Sequence, residues 1–249
     1  MFNKKSLIYA LLPLGLSFSA ISGTLIDDFA LPDPADSCTA TVSGSSDGMG
    51  GFNTVSCDYV DNGYTSPNNP YSILGGEREV DITILSITGD VQGPESVSVT
   101  SGPNFTKTSS SLSLSNDSGI ESKVVLTWDG TVATPLLVDL TPDLGGAFAV
   151  DVLSRDGNFT GEFTLTDSSN NTETKTIPPA ATVPGTTYVP FASFTTIDFS
   201  AITSLVIEVT SEQDVDLRVA FARTVPEPET IALFGLSILG LALRRKKLI

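Results

Sequence analysis

Histidine is absent from the 249 residues of this sequence, and cysteine and tryptophan are rare, with two residues and one residue respectively. Without histidine, neither a Ser-His-Asp nor a Cys-His catalytic arrangement can be assembled. The usual zinc, copper and haem sites are excluded for a similar reason, because they depend on imidazole or thiolate ligands. We therefore expect a protein that is not an enzyme. A pair of carboxylates could still hydrolyse a glycosidic bond, although no pattern places two of them at a catalytic separation.

Basic residues are also scarce. There are 13 Lys and Arg against 29 Asp and Glu, for a formal net charge of −16. Six of the basic residues lie at the two ends of the chain, as do Glu227 and Glu229, so 7 basic and 27 acidic residues remain between them. A body with a charge near −20 stays soluble and repels nucleic acid phosphates and anionic lipids. We therefore expect no nucleic acid partner.

Oxygen ligands for a hard cation remain available, so calcium is the one realistic metal. Asp27 with Asp28, and Asp156 with Asn158, are candidate ligands, but neither pair matches an EF-hand or a calcium-binding nonapeptide repeat. Asp and Asn also form turns, and turn formation explains these residues better. The sequence thus predicts no cofactor, with calcium as the open alternative.

The two cysteines, Cys38 and Cys57, enclose a segment rich in Ser, Gly and Asp. In an oxidising compartment they would pair, and in the chain-entropy model a loop of about 20 residues then contributes about 3 kcal/mol. A catalytic thiol is the alternative, but no histidine is present to activate it. We therefore predict a disulfide between Cys38 and Cys57.

The first 22 residues have the three parts of a secretory signal peptide. Lys4 and Lys5 form a basic start, 7–18 is apolar, and the small residues Ala20 and Ser22 suit a signal peptidase site. We expect a signal helix that is cleaved after Ser22. An uncleaved anchor or a buried core helix is the alternative, although the apolar run is short for a membrane span.

The last 25 residues contain three parts in a fixed order: a Pro-Glu-Pro triplet, an apolar run from Ile231 to Leu243, and a basic cluster. The prolines keep the triplet extended and outside any helix. As a helix the apolar run reaches only about 20 Å, against a hydrocarbon core of about 30 Å, so it is a marginal membrane span. The basic cluster, Arg244 to Lys247, keeps that end cytoplasmic and places the body in the periplasm.

This tail resembles the PEP-CTERM sorting signal, the tag by which membrane proteases called exosortases recognise their substrates. The resemblance rests on the following residues: Pro226, Glu227, Pro228, Thr230, Gly235, Gly240, Arg244 and Arg245. It implies export by a Gram-negative bacterium, temporary anchoring in the inner membrane, recognition of the triplet by an exosortase, and release or transfer to the cell surface. It also implies an association with exopolysaccharide. A plain tail anchor or a chance apolar terminus is the alternative.

From Glu79 onward, Val, Ile, Thr and Phe recur at every second position in short segments separated by Gly, Pro, Asn and Asp. In the clearest segment, Asp214 to Arg223, the odd-numbered residues from Val215 to Phe221 share one face. We also expect strands in the following segments: 81–87, 112–114, 123–128, 147–154, 162–167 and 204–210. Short strands of this kind predict an all-β fold, an antiparallel β-sandwich or jelly roll.

A second resemblance, over about 180 residues, is to the galactose-binding-like jelly rolls, which include some carbohydrate-binding modules. It rests on the following segments: Ile26–Phe29, Phe191–Phe194, and Ile197–Phe199 with Ile202 before two closing strands. The resemblance implies that the first and last strands lie side by side. Residues 38–63 and 109–115 have no counterpart in it, and no ligand residue is transferred from that family.

Aromatic side chains are the candidate glycan contacts, because an aromatic face can stack on the apolar face of a sugar ring. Trp128 ends a predicted strand before the turn at Asp129-Gly130, and Tyr59 and Tyr64 lie in a polar insertion. The alternative is that Trp128 caps the hydrophobic core.

These patterns divide the chain into a signal peptide (1–22), a secreted β-sandwich domain (23–224) and a sorting segment with a transmembrane helix (225–249). Three functions remain open for the body: a structural protein of the cell envelope or extracellular matrix, associated with exopolysaccharide; a carbohydrate-binding module; and a glycoside hydrolase. The expected partners are an exosortase, the membrane before processing, and polysaccharide.

Overall fold

The computed structural model describes residues 23–27, 29, 37–42, 54–60, 73–88, 95–103, 110–141 and 146–225. Within these ranges the chain folds into antiparallel strands, with short 3-10 turns at Leu74–Gly76 and Phe191–Ser193. The strands run as follows: β1 (Leu25–Asp27), β2 (Ser37–Val42), β3 (Thr54–Val60), β4 (Glu77–Ile87), β5 (Glu95–Pro103), β6 (Ser110–Asn116), β7 (Ile120–Trp128), β8 (Ala147–Asp156), β9 (Phe159–Asp167), β10 (Thr172–Ile177), β11 (Gly185–Pro190), β12 (Ile202–Ser211) and β13 (Asp216–Val225). The signal helix and the transmembrane helix expected at the two ends lie outside the described residues.

The strands form two facing antiparallel sheets. In sheet A the order is β11-β8-β13-β6-β5-β2, with β1 beside the second half of β13, and in sheet B the order is β10-β9-β12-β7-β4-β3. The predicted β-sandwich is therefore confirmed. The first and last described strands lie side by side, with Leu25 opposite Arg223, as expected of a galactose-binding-like jelly roll.

Alternation of apolar and polar residues decides which side of each strand faces the other sheet. In β7, for example, Leu126 is buried whereas Lys123 faces outward. The last strand follows the predicted alternation as far as Val219, after which its pairing with β8 shifts register and Ala220 and Ala222 are buried. A β-bulge explains this switch, because one extra residue reverses the faces of the residues that follow.

Aromatic rings fill the interior near the end of the sandwich where β13 stops. Phe148 on β8 stacks on Phe163 on β9 with ring centroids 4.2 Å apart, and Phe191 meets Phe148 edge-on at 4.5 Å. Phe194 and Phe199 extend this cluster over the loop that precedes β12. Aromatic pairs of this kind contribute about 0.5–1.5 kcal/mol each beyond the burial of area, so the cluster joins the two sheets.

A disulfide joins the two sheets along one side of the sandwich. Cys38 lies on β2, the edge strand of sheet A, and Cys57 lies on β3, the edge strand of sheet B. Their sulfur atoms are bonded and their Cα atoms are 5.9 Å apart, which confirms the predicted pairing. Because Cys38 is completely buried, the bridge belongs to the core and also closes the open edge covalently.

A buried ion pair crosses between the sheets. Asp27 on β1 and Arg78 on β4 are both 0% exposed, and Arg78 Nη1 lies 2.5 Å from Asp27 Oδ2. The Trp128 indole N–H donates to the same oxygen at 3.1 Å, and the backbone N–H of Phe29 donates to Oδ1 at 2.6 Å. The Arg78 guanidinium also lies 5.2 Å from the centroid of the Phe29 ring. Burying two charges is expensive, and these contacts offset that cost only while the set is complete.

The variant Arg78→Met should destabilise the domain by about 3–5 kcal/mol, because it leaves the Asp27 carboxylate buried without its cation. The double variant Asp27→Asn/Arg78→Met should cost less than the single one, since no buried charge is then left. Arg155→Met is the control: Arg155 is exposed on β8, and its loss should change stability by at most about 0.5 kcal/mol. Urea unfolding measures all three, and a loss below about 1 kcal/mol for Arg78→Met would contradict the assigned role.

Candidate functional site

Trp128, a predicted glycan contact, lies inside the sandwich. Its side chain is completely buried, and its indole N–H is bonded to Asp27. A buried ring offers no face to a sugar, so the prediction of a glycan contact at Trp128 is wrong. The structure instead shows the alternative, in which Trp128 caps the core at the end of β7.

The remaining predicted site residues lie on β3 or outside the described ranges. Tyr59 lies opposite Arg78 in the pairing of β3 with β4, and Tyr64 is not among the described residues. The sorting residues are also outside them: Pro226, Glu227, Pro228, Thr230, Arg244 and Arg245. Glycan contact by either tyrosine stays a prediction. Within the described part of the chain, no helix is long and apolar enough to cross a membrane.

The candidate calcium ligands have other contacts in the fold. Both carboxylate oxygens of Asp27 accept hydrogen bonds in the buried cluster, and Asn158 donates to Glu212 at 3.0 Å. Asp156 is exposed at the end of β8, and Asp28 lies outside the described residues. Among the residues that the structure describes, no group of three or more Asp, Glu, Cys or His side chains is placed to hold a metal ion. Calcium binding stays an untested alternative.

An open groove lies at the end of sheet B where β12 stops and β9 begins. It has a volume of about 280 Å³ and is lined by the following residues: Leu85, Glu121, Asn158, Phe159, Thr160, Thr210, Ser211 and Glu212. Sheet register brings these residues together, because Ser211 on β12 pairs with Phe159 on β9 and with Ser122 on β7. The volume is close to the lower limit of about 300 Å³ for small-molecule pockets.

Ser211, one of the residues that line the groove, belongs to a buried cluster of hydrogen-bonded side chains. Ser211 is almost completely buried, and its Oγ accepts from Asn116 Nδ2 at 2.8 Å and lies 2.9 Å from Ser122 Oγ. Ser122 in turn donates to Asn116 Oδ1 at 2.9 Å. Because these polar groups satisfy one another, they hold the ends of β7 and β12 in one geometry.

The groove combines the groups that sugar recognition requires. Phe159 is half-buried and lines both the groove and the apolar interior of the sandwich, and the exposed side chain of Leu85 also lines the groove. Glu121, Glu212 and Asn158 add carboxylate and amide groups that can bond to sugar hydroxyls. The hydrogen bond between Asn158 and Glu212 orients two of these groups. The arrangement can therefore form hydrogen bonds to sugar hydroxyls beside the partly exposed aromatic residue Phe159.

The sequence by itself does not single out this groove. Asn158 appears there only as a candidate calcium ligand, and Glu121 and Glu212 are about 90 residues apart in the chain. Only the pairing of β12 with β7 and β9 brings the groove residues together. The one local signal is Phe159, an aromatic residue placed directly after the turn that ends β8.

Two carboxylates fasten the loops at the opposite end of the sandwich. Asp167 accepts from the Asn171 side chain at 2.9 Å and from the Asp198 backbone N–H at 3.0 Å, and these bonds lower the pKa of Asp167 to about 2. The Lys175 ammonium, 2.6 Å from Glu173, and backbone N–H groups of the loop before β12 lower the pKa of Glu173 to about 2. In both cases hydrogen bonds to the ionised form favour that form.

Residues 224–246 match the family model of the PEP-CTERM protein-sorting motif. The chain carries a PEP-CTERM sorting motif. The motif implies an exported protein that is anchored in the membrane before an exosortase cleaves it. Its first two residues, Thr224 and Val225, are also the last two residues of β13. The PEP-CTERM motif therefore begins inside the folded sheet.

The solved structures with similarity to this chain are distant from it. An exo-β-agarase is 14% identical over 59% of this chain and 23% of its own chain, with a TM-score of 0.35. The active domain of tailspike protein 4 from bacteriophage CBA120 is 15% identical over 59% of this chain and 19% of its own, with a TM-score of 0.31. A family 11 carbohydrate-binding module of a Clostridium thermocellum cellulase is 12% identical over 82% of this chain and 95% of its own, with a TM-score of 0.33. At these TM-scores the similarities support no conclusion about the ligand, and no curated protein shows significant sequence similarity to the chain.

The lowered pKa values predict a loss of stability in acid. A carboxyl group with a depressed pKa in the folded state stabilises the protein above its unfolded pKa and loses that contribution as the pH falls through the folded value. For Asp167 and Glu173 the loss should run from the unfolded values of 3.8 and 4.5 down to about 2. In thermal unfolding across this range, Asp167→Asn should show a smaller pH dependence than the parent. Ser169→Ala, which keeps its backbone N–H bond to Asp167, should behave like the parent, and equal slopes for all three would contradict the assignment.

Proposed function

We propose that this protein is an exosortase substrate that is delivered to the cell surface or the extracellular matrix, where the folded body is a structural protein associated with exopolysaccharide. The PEP-CTERM motif is the observation that carries the proposal. The motif marks the chain as cargo for sorting, and cargo needs no active site in its body. The absence of histidine from the sequence fits such a role.

The precursor is handled in three stages under this proposal. Residues 1–22 direct export and are removed, 225–249 hold the protein in the inner membrane, and an exosortase then acts at the Pro-Glu-Pro triplet. The body, 23–224, faces the periplasm during the second stage because the basic cluster Arg244 to Lys247 stays cytoplasmic. The disulfide can form in that oxidising compartment.

Replacing Pro226, Glu227 and Pro228 with Ala should leave export and membrane insertion intact and block release, since the apolar run and the basic cluster remain. Immunoblots of membrane and medium fractions from a strain that carries an exosortase should then show the precursor alone. Deleting Arg244 to Lys247 is the contrasting variant, because the short span loses its cytoplasmic charge and uncleaved protein should leak into the periplasm. Release of the triple-Ala variant at the rate of the parent would show that the triplet is not the recognition element.

The groove favours a second function, the binding of a glycan. Phe159 is the aromatic residue among those that line the groove and would contact the sugar ring, and Glu121, Asn158 and Glu212 supply polar groups that orient a sugar. Two of these polar groups are carboxylates, and the whole body is strongly acidic, so a neutral sugar unit suits the groove better than a uronic acid. We propose a neutral polysaccharide of the surrounding matrix as the ligand.

Affinity electrophoresis in gels that contain the producer's neutral polysaccharide measures this binding. The parent should be retarded, and Glu212→Gln and Phe159→Leu should each reduce the retardation several-fold. Leu is chosen because Phe159 also lines the apolar interior of the sandwich, where Ala would leave a cavity. Tyr188→Ala is the matched control, since Tyr188 is an exposed aromatic residue on β11 outside the groove, and it should migrate like the parent.

Other outcomes of this experiment have distinct meanings. Migration of the parent that the polysaccharide does not alter would remove the glycan-binding function and leave the structural one. Retardation that neither groove variant reduces would place the binding elsewhere on the body. Release of new reducing ends, lost in Glu121→Gln and in Glu212→Gln, would instead support the glycoside hydrolase.

A further inference from the structure

Both ends of the described chain leave the sandwich at the same corner. The N–H of Thr224 donates to the carbonyl of Thr24 at 2.8 Å, and Leu25 lies opposite Arg223 in the β1–β13 pair. Gly23 lies so close to Thr224 that a Cβ would be 1.9 Å from the Thr224 carbonyl oxygen. The chain therefore enters the sandwich at Gly23 and leaves it at Thr224, where the sorting motif starts. These two points are roughly 5 Å apart, which is the spacing of neighbouring strands.

The sorting motif leaves little distance between the sandwich and the membrane. The last strand ends at Val225 and the apolar run begins at Ile231, so the five residues 226–230 connect them. An extended chain spans at most about 3.6 Å per residue, which limits the gap to roughly 20 Å. The interfacial layer of a bilayer itself takes about 5–8 Å on each side. This end of the sandwich therefore lies close to the bilayer surface in the anchored precursor.

The loop that follows β7 lies at this same end. At the far end, where β13 begins, the N–H of Gly119 donates to the Asp214 carboxylate at 2.6 Å, and β7 starts directly after Gly119. The other end of β7 is Trp128, which therefore lies at the end of the sandwich where β13 stops. The Trp128 indole N–H bonds to Asp27 of β1, and β1 pairs with the second half of β13. The loop 129–138 starts from this point, and its last residue, Val138, forms a bridge with Ile202 at the start of β12.

The loop 129–138 exposes two large apolar side chains. Val132 is fully exposed and Leu137 is 70% exposed. Between Asp129 and Asp139 the chain carries no charged residue. The other exposed large apolar side chains of the described ranges are each less than half exposed: Leu85, Val183 and Tyr188. An uncharged loop with two such side chains suits a hydrophobic partner.

Hydrogen bonds hold this loop in one conformation. Thr131 and Thr134 exchange two backbone bonds at 3.1 Å, and their hydroxyl oxygens are 2.8 Å apart. The N–H of Leu136 donates to the Asp129 carbonyl at 2.6 Å, and the Leu136 side chain is buried. Gly130 has a φ of 82°, and a Cβ there would lie 2.4 Å from the Leu136 nitrogen, so glycine is required. Because the loop is already ordered, little conformational entropy is lost when its exposed tip binds a partner.

We propose that this loop contacts the inner-membrane surface in the anchored precursor, with Val132 and Leu137 in the interfacial layer. The inference rests on the proposed sorting of the chain, because it requires the C-terminal segment to be inserted in the bilayer. The apolar side chains gain by leaving water, and the short connection keeps them at a high effective concentration near the surface. Cleavage by the exosortase removes that connection, so the contact ends when the body is released.

Exposed carboxylates lie at both ends of the sandwich. The opposite end of the sandwich exposes a group of carboxylates: Asp117, Asp156, Glu212, Asp214 and Asp216. Anionic lipids repel such a surface. The loop end also has carboxylates: Asp129 and Asp139 lie at the base of the loop, Asp198 is exposed nearby, and Asp167 and Glu173 accept hydrogen bonds from the neighbouring loops. The tip of the loop, which carries no charged residue, is therefore the part of this end that is best suited to approach lipid headgroups.

Fluorescence quenching in proteoliposomes tests this contact. The full-length chain, with Pro226, Glu227 and Pro228 replaced by Ala, is reconstituted in vesicles of phosphatidylethanolamine and phosphatidylglycerol. A fluorophore is attached at Val132→Cys, and the native cysteines do not react because they are paired. Lipids that carry a doxyl quencher should quench this fluorophore several-fold more than one at Asp214→Cys, which lies roughly 30 Å away along the strands. Equal quenching at the two positions would overturn the proposal.

A second comparison separates the contribution of the apolar side chains from that of the short connection 226–230. With the fluorophore at the exposed position Ala133→Cys, the variant Val132→Asp/Leu137→Asp should lose most of the quenching. Unchanged quenching would mean that the short connection alone holds this end near the bilayer, and it would contradict a role for the apolar side chains. Alkaline extraction distinguishes failure of the proposed sorting from failure of the proposed loop contact. A chain that is extracted contradicts the proposed sorting itself, whereas a chain that resists extraction but shows no quenching contradicts the loop contact alone.

Discussion

The charge pair between Asp27 and Arg78 is the constraint on which this sandwich depends, because it is buried where the two sheets and the first strand meet. Asp27 holds β1 against β4 through Arg78 and against β7 through Trp128. The same strand lies along the second half of β13, which leads into the sorting motif. A buried charge without its partner costs several kcal/mol. The start of the body and its exit toward the membrane are therefore held in place by one cluster of contacts.

The two ends of the sandwich have different chemistry, and the strand directions set them apart. One end has Gly23, Val225, the loop 129–138 with its uncharged tip, and the hydrogen-bonded carboxylates Asp167 and Glu173, whereas the other has the groove with Phe159 and its neighbouring carboxylates. Strands of about ten residues separate these ends by roughly 30 Å. A glycan bound in the groove would therefore face away from the membrane while the precursor is anchored, so the proposed membrane contact and the proposed glycan contact do not compete.

Strands could be predicted from the sequence where apolar and polar residues alternate. They could not be predicted where only backbone pairing with a neighbouring strand specifies them. β7, β9 and β12 each bury one face and direct mostly polar residues outward, and the alternation is visible in the sequence. By contrast, Thr172–Ile177 is almost entirely polar and is a strand because its backbone pairs with β9 and Glu173 binds the loop before β12. Likewise β2 and β3 lie in Ser- and Gly-rich sequence and depend on pairing with β5 and β4.

The amino-acid sequence by itself determined the sorting motif, the disulfide partners and the all-β class, because each of these depends on residue types and their order along short stretches. Only the tertiary structure decided the place of Trp128, whose sequence neighbours are those of a strand end but whose indole bonds to Asp27, 101 residues away. It also decided the groove, since Glu121 and Glu212 meet only through strand pairing. Contacts between distant residues follow from sheet register and from the packing of one sheet on the other, and no local pattern of residues specifies them.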